Sequence, residues 1–424
     1  MAEYTLKPED ANKTLEVNDE NPNNTVKIIV PEHSNSPIPI GTEIKVYRGN
    51  EAKAEFEPQN SVEIVSARKE IYAPTFFIRK YGEAQIRKRA LNQWVLKGDL
   101  FYGIFAEGGD EVFVIEQDGI LYRVHTFTTV GESEFDVTLG SGEVECLVVA
   151  GGGGGGSGRS PTASSSGDRM GAGGGAGGLV FVPGLTATVG THTVTVGQGG
   201  TAGNFSAGTD AGRAGGPGGD SSVLTVTARG GGRGGMARTQ DTALSIDGGS
   251  GGGSSHNAIR DGGAGIQPNE AAPSGTPNGF GNKGGSGTLN VSSHGGGGGG
   301  GAGGAGGDSD GSQRGGAGGV GLAQVVIGGV TYRFVDEFPI GVGEALGGER
   351  YFAGGGGGGR RASGAQGIGG LGGGGNGGPN NPSDGLPGTP NTGGGGGGGS
   401  GDSDAVNSGA AGGSGIVIVR YRIG

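Results

Sequence analysis

Residues 301–323, GAGGAGGDSDGSQRGGAGGVGLA, carry a repeat of three that decides the fold. Seven of its twelve non-glycine residues share one register: Ala302, Ala305, Asp308, Arg314, Ala317, Val320 and Ala323, with Gly311 at the remaining step. Shorter stretches at 211–220 and 365–371 repeat this spacing through Ala211, Ala214, Pro217 and Asp220, and through Ala365, Ile368 and Leu371. A polyproline-II helix has three residues per turn. The register therefore predicts extended helices with side chains on one edge and bare backbone on the other two.

Pure glycine runs show how these helices assemble. Residues 295–301, 354–359 and 393–399 break the strict Gly-X-Y rule of collagen. Chains without side chains can instead pack side by side, and we predict a bundle of polyglycine-II helices. Fixing a residue's backbone costs about 1–2 kcal/mol, and glycine is at the costly end. A hydrogen bond returns about 0.5–1.5 kcal/mol, so the bundle needs an anchor.

Apolar segments flank the glycine tracts and can provide that anchor. We predict that they form a β-sandwich whose loops are the glycine helices, with the last segment closing the sheet. The predicted strands lie at 111–150, 179–196, 223–228, 325–334 and 416–421. The alternative is a flexible glycine linker between small β units, which would need no register of three.

The first 150 residues contain only 11 of the 110 glycines and differ in kind from the rest. Short strands are predicted at 25–30, 42–47, 62–65 and 93–96, with a helical segment at 86–91 whose basic run Arg87 to Arg89 faces solvent. Further strands at 112–115, 121–127 and 134–139 include an Asp118-Gly119 pair typical of a tight hairpin. We assign residues 1–103 to an attachment or oligomerisation module and 104–424 to the glycine-rich domain. The predicted class is all-β.

Residues 143–424 resemble the glycine-rich domain of tail and appendage proteins of tailed bacteriophages. The resemblance rests on Glu145 to Gly156, Gly177 to Gly184, His192 to Gly197, Ser221 to Val223 and Gly413 to Tyr421, in that order. Residues 38–44 and 92–100 look like a more divergent phage module. The glycine-rich part is also similar to the extracellular glycine-rich domain of the anaplastic-lymphoma and leukocyte receptor tyrosine kinases. That likeness implies a jelly-roll-like sandwich carrying glycine helices.

Composition and charge narrow the function. A net charge of -11 argues against nucleic-acid binding. The single cysteine, Cys146, lies in an apolar run and is expected to be buried. The start of the sequence shows no signal peptide, and no segment suggests membrane insertion. We expect the protein to be assembled in the host cytoplasm.

The sequence offers no catalytic constellation. It has no P-loop, and its five histidines show no zinc-ligand spacing. Asp308-Ser309-Asp310-Gly311 and Asp402-Ser403-Asp404 are interpreted as polar loops rather than cation sites. We expect no enzymatic activity, no cofactor and no bound metal.

Arginine dominates the positive charge after residue 150, and its planar fork suits sugar hydroxyls, carboxylates and phosphates. The candidate receptor contacts are Arg169, His256, Arg260, Arg360 and Arg361. The alternative is that these residues only keep a glycine surface soluble.

Three functional hypotheses follow. The first is a virion structural protein, a homotrimeric tail fibre or appendage component. It would join other virion proteins through residues 1–103 and contact a host surface glycan or outer-membrane component. The second is a capsid decoration or head-fibre protein that binds no receptor. The third is a glycan-degrading tailspike, which would require paired carboxylates.

Overall fold

The structure is a computed structural model. It describes residues 2–21, 24–49, 52–66, 76–78, 80–98, 100–102, 104–158, 170–204, 214–236, 246–255, 261–267, 279–288, 294–310, 312–338, 341–361, 364–379, 383–401 and 407–423. Within these ranges the helices are a single 3-10 turn, Pro8–Asp10, and one short α-helix, Phe334–Glu337. The predicted all-β class is confirmed. No helix in the described ranges is long and apolar enough to cross a membrane.

The N-terminal strands form two sheets. They are β1 (Ala2–Thr5), β2 (Thr14–Val17), β3 (Thr25–Val30), β4 (Glu43–Arg48), β5 (Lys53–Pro58), β6 (Glu63–Ser66), β7 (Phe76–Ile78), β8 (Glu83–Ala90), β9 (Gln93–Gly98) and β10 (Leu100–Tyr102). One sheet has the order β1-β3-β5-β7-β10 and the other β2-β4-β8-β9-β6. A single hydrophobic core, which includes Phe56, Ile86 and Trp94, receives side chains from both.

Strand β8 corrects the predicted helix at 86–91. Ala84, Ile86 and Lys88 alternate inward, and β8 pairs with both β4 and β9. This period of two places Lys88 in the core, at 1 % exposure, so the basic run is not a wholly solvated face as predicted. The Lys88 ammonium lies 3.0 Å from His33 Nδ1 and 5.3 Å from the centre of the Trp94 ring. Burial lowers the pKa of Lys88.

The remaining elements belong to the glycine-rich part of the chain. They are β11 (Phe105–Glu107), β12 (Glu111–Gln117), β13 (Ile120–Phe127), β14 (Gly131–Leu139), β15 (Gly142–Val149), β16 (Leu179–Ala187), β17 (Gly190–Val196), β18 (Ser221–Val223), β19 (Val226–Ala228), β20 (Gly279–Phe280), β21 (Gln324–Ile327), β22 (Val330–Arg333), α1 (Phe334–Glu337), β23 (Glu344–Leu346), β24 (Glu349–Tyr351) and β25 (Ile416–Arg422). A five-stranded sheet, β11-β14-β17-β18-β19, packs on a six-stranded sheet, β12-β13-β25-β15-β16-β20. The predicted β-sandwich is confirmed.

The centre of the six-stranded sheet is buried on both faces. Val417 and Val419 of β25 face the five-stranded sheet, whereas Ile416 and Ile418 face the segment from β21 to β24. This explains why the last strand is an unbroken apolar run rather than an alternating one. Strand β25 lies between β13 and β15, so it completes the centre of the sheet rather than its edge.

Two predicted strands differ from the structure. The segment 223–228 belongs to a hairpin, because Leu224 adopts a positive φ of 54° and reverses the chain between β18 and β19. The segment 325–334 is not part of the two sandwich sheets. It forms the separate hairpin β21–β22 and runs into α1, and Val325 and Phe334 cover the outer face of the six-stranded sheet.

Two local predictions are confirmed. Asp118 and Gly119, with φ of 52° and 76°, form a two-residue turn between β12 and β13. Cys146 is fully buried in the sandwich core, and burial raises the pKa of its thiol. It is a packing residue rather than a nucleophile.

A buried histidine should give the sandwich a pH dependence. The Nδ1–H of His125 donates to the Gly108 carbonyl at 2.8 Å, and burial lowers the pKa of His125. The unfolded chain then binds a proton more readily than the folded chain, so stability should fall as pH drops below about 6.5. We expect the melting temperature to fall between about pH 8 and pH 5.5, and less so in His125→Gln. The matched variant His192→Gln, on β17, should keep the wild-type dependence.

The glycine tracts form the predicted polyglycine-II bundle. Residues 151–156 are neither helix nor strand, and consecutive residues bond different neighbours. The amides of Gly151 and Gly154 donate to Gly219 and Gly216, so every third residue returns to one neighbour. The neighbours that accept from 151–156 are tracts 215–219, 407–413 and 171–178, and those that donate to it are tracts 230–235, 199–203 and 393–399. The tract is thus bonded on all sides, as three-fold helices without side chains allow.

Inner and outer tracts differ as the register predicts. In 364–371, Gly364, Gly367 and Gly370 are buried, while Ala365 and Ile368 are exposed. In 302–323 the described register positions between the two ends are exposed, whereas the ends, Ala302 and Ala323, are buried. The side chains of these two outer tracts therefore lie largely on the bundle surface, whereas the inner runs such as 151–156 consist of glycine backbone.

Candidate functional surface

The bundle presents one end away from the sandwich. Tract 151–158 leaves β15, and tract 170–178 returns to β16 beside it, with Gly153 and Gly156 donating to Gly175 and Ala172. Eight residues at about 3.1 Å each span about 25 Å. The described ends of these two tracts, Gly158 and Met170, therefore lie about this far from the sandwich. We call this end of the bundle the distal surface, and its described residues are 157–158, 310, 312–314, 360–361, 364, 383–384, 400–401 and 407–408.

Polar side chains, of which Ser400 and Asn407 are buried, close the bundle at the distal surface. Ser400 Oγ donates to the Ser383 carbonyl at 2.9 Å and accepts from the Ser383 amide at 3.0 Å. Asn407 Nδ2 donates to the Ser400 carbonyl at 2.8 Å. Asp384 accepts from the Ser408 amide at 2.7 Å. These hydrogen bonds satisfy backbone N–H and C=O groups at the distal surface, where the tracts separate. Side chains therefore order this end of the bundle.

Arg360 and Arg361 lie at this end, as two of the predicted contacts. The Arg361 amide donates to the Gln313 carbonyl at 3.1 Å, and the Gly401 amide donates to the Arg360 carbonyl at 3.3 Å. One Arg360 guanidinium nitrogen donates to the Gly364 carbonyl. Both side chains are half-buried, and their backbones are fixed by neighbouring turns.

Arg314 joins this cluster although the prediction did not include it among the contacts. It follows Gln313, whose carbonyl binds Arg361, and its side chain is 62 % exposed. Its Nη1 lies 3.9 Å from Asp310 Oδ2. The repeat of three places Arg314 on the outer edge of its helix, so the sequence pattern predicts that its side chain is exposed.

The other predicted contacts, Arg169, His256 and Arg260, lie outside the described residues. The structure therefore brings together Arg360, Arg361 and, in addition, Arg314.

The acidic pair of the 308–311 loop binds the protein itself. Asp308 accepts from the Ser286 amide at 2.7 Å, and Asp310 accepts from the Ser312 amide at 3.0 Å. Within the described part of the chain, no group of three potential metal ligands is found. The interpretation of this loop as a polar connection agrees with these bonds.

The sequence profile of the glycine-rich domain family matches residues 128–422, which is more than half of the chain, and the chain belongs to this family. A search of curated proteins found no match.

Proposed function

We propose that this member of the glycine-rich domain family is a non-enzymatic structural protein of a tailed-bacteriophage particle, a tail fibre or appendage component. In this proposal the glycine bundle is a rigid body that presents its distal surface to the host cell. Its ligand would be a host surface glycan or an outer-membrane component. The likeness of residues 143–424 to phage tail and appendage proteins motivates the assignment.

The observation that carries the proposal is the bonding of tract 151–156 to neighbours on all sides. A binding surface loses less entropy when its support is already ordered. The closing bonds of Ser383, Ser400 and Asn407 extend that order to the distal end. The Arg314, Arg360 and Arg361 cluster then supplies donors suited to hydroxyl, carboxylate or phosphate groups.

The proposed assembly is a homotrimer that joins other virion proteins through residues 1–103. The outermost strands of the two N-terminal sheets are short, β1 and β10 in one and β2 and β6 in the other, and a neighbouring chain could add strands at these edges. Light scattering should give three times the mass of the chain. A monomer at all concentrations would contradict the trimer but would not bear on the proposed role of the distal surface.

Competition for phage adsorption tests the host-binding role. Purified protein added to host cells before the phage should reduce adsorption, and Arg360→Glu/Arg361→Glu should need at least a tenfold higher concentration. The control is Lys7→Glu/Lys13→Glu, with the same change of charge at exposed N-terminal lysines. Calorimetry verifies that both variants are folded.

Other outcomes favour the other hypotheses. Wild-type protein that never competes would indicate a capsid decoration or head-fibre protein. Loss of surface polysaccharide from cells treated with the protein would indicate a glycan-degrading tailspike. Equal competition by wild type and the double-arginine variant would remove the arginine cluster from the binding surface.

A further inference from the structure

A positively charged groove lies on the N-terminal module, far along the sequence from the distal surface. It has a volume of 420 Å3 and is formed on the sheet β2-β4-β8-β9-β6 by cationic residues of β8 and β9. Arg87 and Arg89 of β8 and Lys97 of β9 line it. Arg89 is an extra residue in the pairing of β8 with β9, and this bulge changes the direction of the strand at the groove.

The positive charge of the groove is largely uncompensated. Arg87 Nε lies 3.6 Å from Glu43 Oε1, and the Arg87 side chain is 59 % exposed. Glu43 also accepts a bond of 2.6 Å from Gln85 Nε2, so its carboxylate is shared. Arg89 and Lys97 are exposed and form no ion pair with any residue in the described ranges. An anionic ligand would therefore find two cations, Arg89 and Lys97, that no carboxylate of the described residues neutralises.

The groove also has an apolar part. Ile40 is 59 % exposed, and Val95 lies between the cations in the strand pairing, opposite Arg87. Gly41, at a φ of 94°, leaves open space beside Ile40. Exposed apolar surface next to unpaired cations suits a ligand that carries both carboxylates and aliphatic side chains.

We propose that this groove binds an acidic, partly apolar peptide segment of another protein of the particle. The inference rests on the proposed attachment role of residues 1–103 and specifies its chemistry. A polypeptide fits better than a nucleic acid, because the chain carries a net charge of -11 and would repel a long polyanion. Residues 1–103 are close to neutral, with 14 Lys and Arg against 15 Asp and Glu, so this local cluster can attract a short acidic segment.

Fluorescence anisotropy on the full chain tests the groove directly. The probe is a labelled peptide Glu-Val-Glu-Val-Glu, and the control probe is Gln-Val-Gln-Val-Gln. We expect the first probe to bind, with an affinity that falls as salt rises, and the second to bind at least tenfold more weakly. Arg89→Glu/Lys97→Glu should weaken binding of the acidic probe at least tenfold. Lys7→Glu/Lys13→Glu, which makes the same charge change outside the groove, should stay within about twofold of wild type.

Several results would overturn the proposal. These are equal binding of the two probes, equal losses in the two variants, or displacement of the probe by heparin or DNA at lower concentrations than by unlabelled acidic peptide. Self-association of the wild type that Arg89→Glu/Lys97→Glu abolishes would assign the groove to a second copy of the chain instead. None of these results bears on competition for adsorption, so failure of the groove and failure of the host-binding role are distinguishable.

Discussion

Replacing Gly154 with alanine should strongly destabilise the glycine bundle. A Cβ at this position would lie 1.9 Å from the Thr201 carbonyl oxygen, so the α-hydrogen there points at that oxygen. The Gly154 amide and carbonyl also bond Gly216 and Gly234, at 2.9 and 2.8 Å. Relief of the clash must separate these tracts. Overpacking costs about 1–3 kcal/mol, and each weakened hydrogen bond adds about 0.5–1.5 kcal/mol. We expect a loss of about 3 kcal/mol or more, measured by calorimetry.

A graded control series separates this clash from the general effect of replacing glycine. In Gly307→Ala the new Cβ would lie 3.2 Å from the Ala317 amide nitrogen, which requires only a small shift. In Gly341→Ala no atom lies within 4 Å, and the change should stay within about 0.5 kcal/mol of wild type. The expected order of stability is Gly341→Ala, then Gly307→Ala, then Gly154→Ala. Similar losses in all three would contradict close backbone packing.

Arg420→Met should have the second large effect, because it leaves carboxylates buried without a partner. Arg420 is 3 % exposed on the outer face of β25. It pairs with Glu145 at 2.8 Å and with Glu337, and it donates to Gln117 Oε1 at 2.8 Å. Its guanidinium also lies 4.4 Å from the centre of the Tyr122 ring. Removing one partner of a buried ion pair costs about 3–5 kcal/mol.

The effect of Arg420→Met should also depend on pH. Burial raises the pKa of Glu337, and Arg420 opposes that rise. A carboxyl group whose pKa is raised on folding stabilises the fold in its protonated form, and this contribution is lost as pH rises through the folded pKa. Without Arg420 the folded pKa should rise further, so the loss should be larger at about pH 8 than at about pH 5.

The matched control for Arg420→Met is Arg333→Met. Arg333 also bonds two carboxylates, Asp336 at 2.9 Å and Glu349 at 2.6 Å, but its side chain is 41 % exposed. Exposed ion pairs contribute little to stability, so this variant should unfold close to wild type at both pH values. Equal losses in the two variants would mean that the Arg420 cluster does not fasten the segment from β21 to β24 to the sandwich.

Patterns with a fixed period were predictable from the sequence. The repeat of three in 302–323 gave the exposed outer edge of the bundle, since three-fold geometry leaves few other arrangements. The unbroken apolar run of β25 predicted that this strand is buried. The Asp118-Gly119 pair predicted the turn, because few residue types adopt positive φ. These features depend on neighbours along the chain or on backbone geometry alone.

Features that depend on distant partners were not predictable. In the sequence Lys88 is one charge in a basic run. The pairing of β8 with β4 and β9 directs its side chain into the core. Packing against the outer face of the six-stranded sheet determines where hairpin β21–β22 lies, and the sequence of the hairpin alone does not indicate this. Among the candidate contacts, Arg360 and Arg361 were found together at the distal surface, but the role of Arg314 there required the position of Gln313.

Amide hydrogen exchange tests the central claim, which is that the glycine tracts form one rigid, hydrogen-bonded bundle. The amides of 151–156, 171–178 and 354–359 should exchange slowly, at rates that approach global unfolding, because each is bonded inside the bundle. The turn at Gly328 and Gly329, where an added Cβ would meet no atom within 4 Å, should exchange quickly and serve as the internal reference. Exchange in the tracts as fast as in that turn would contradict the bundle and leave a glycine-rich tether in its place.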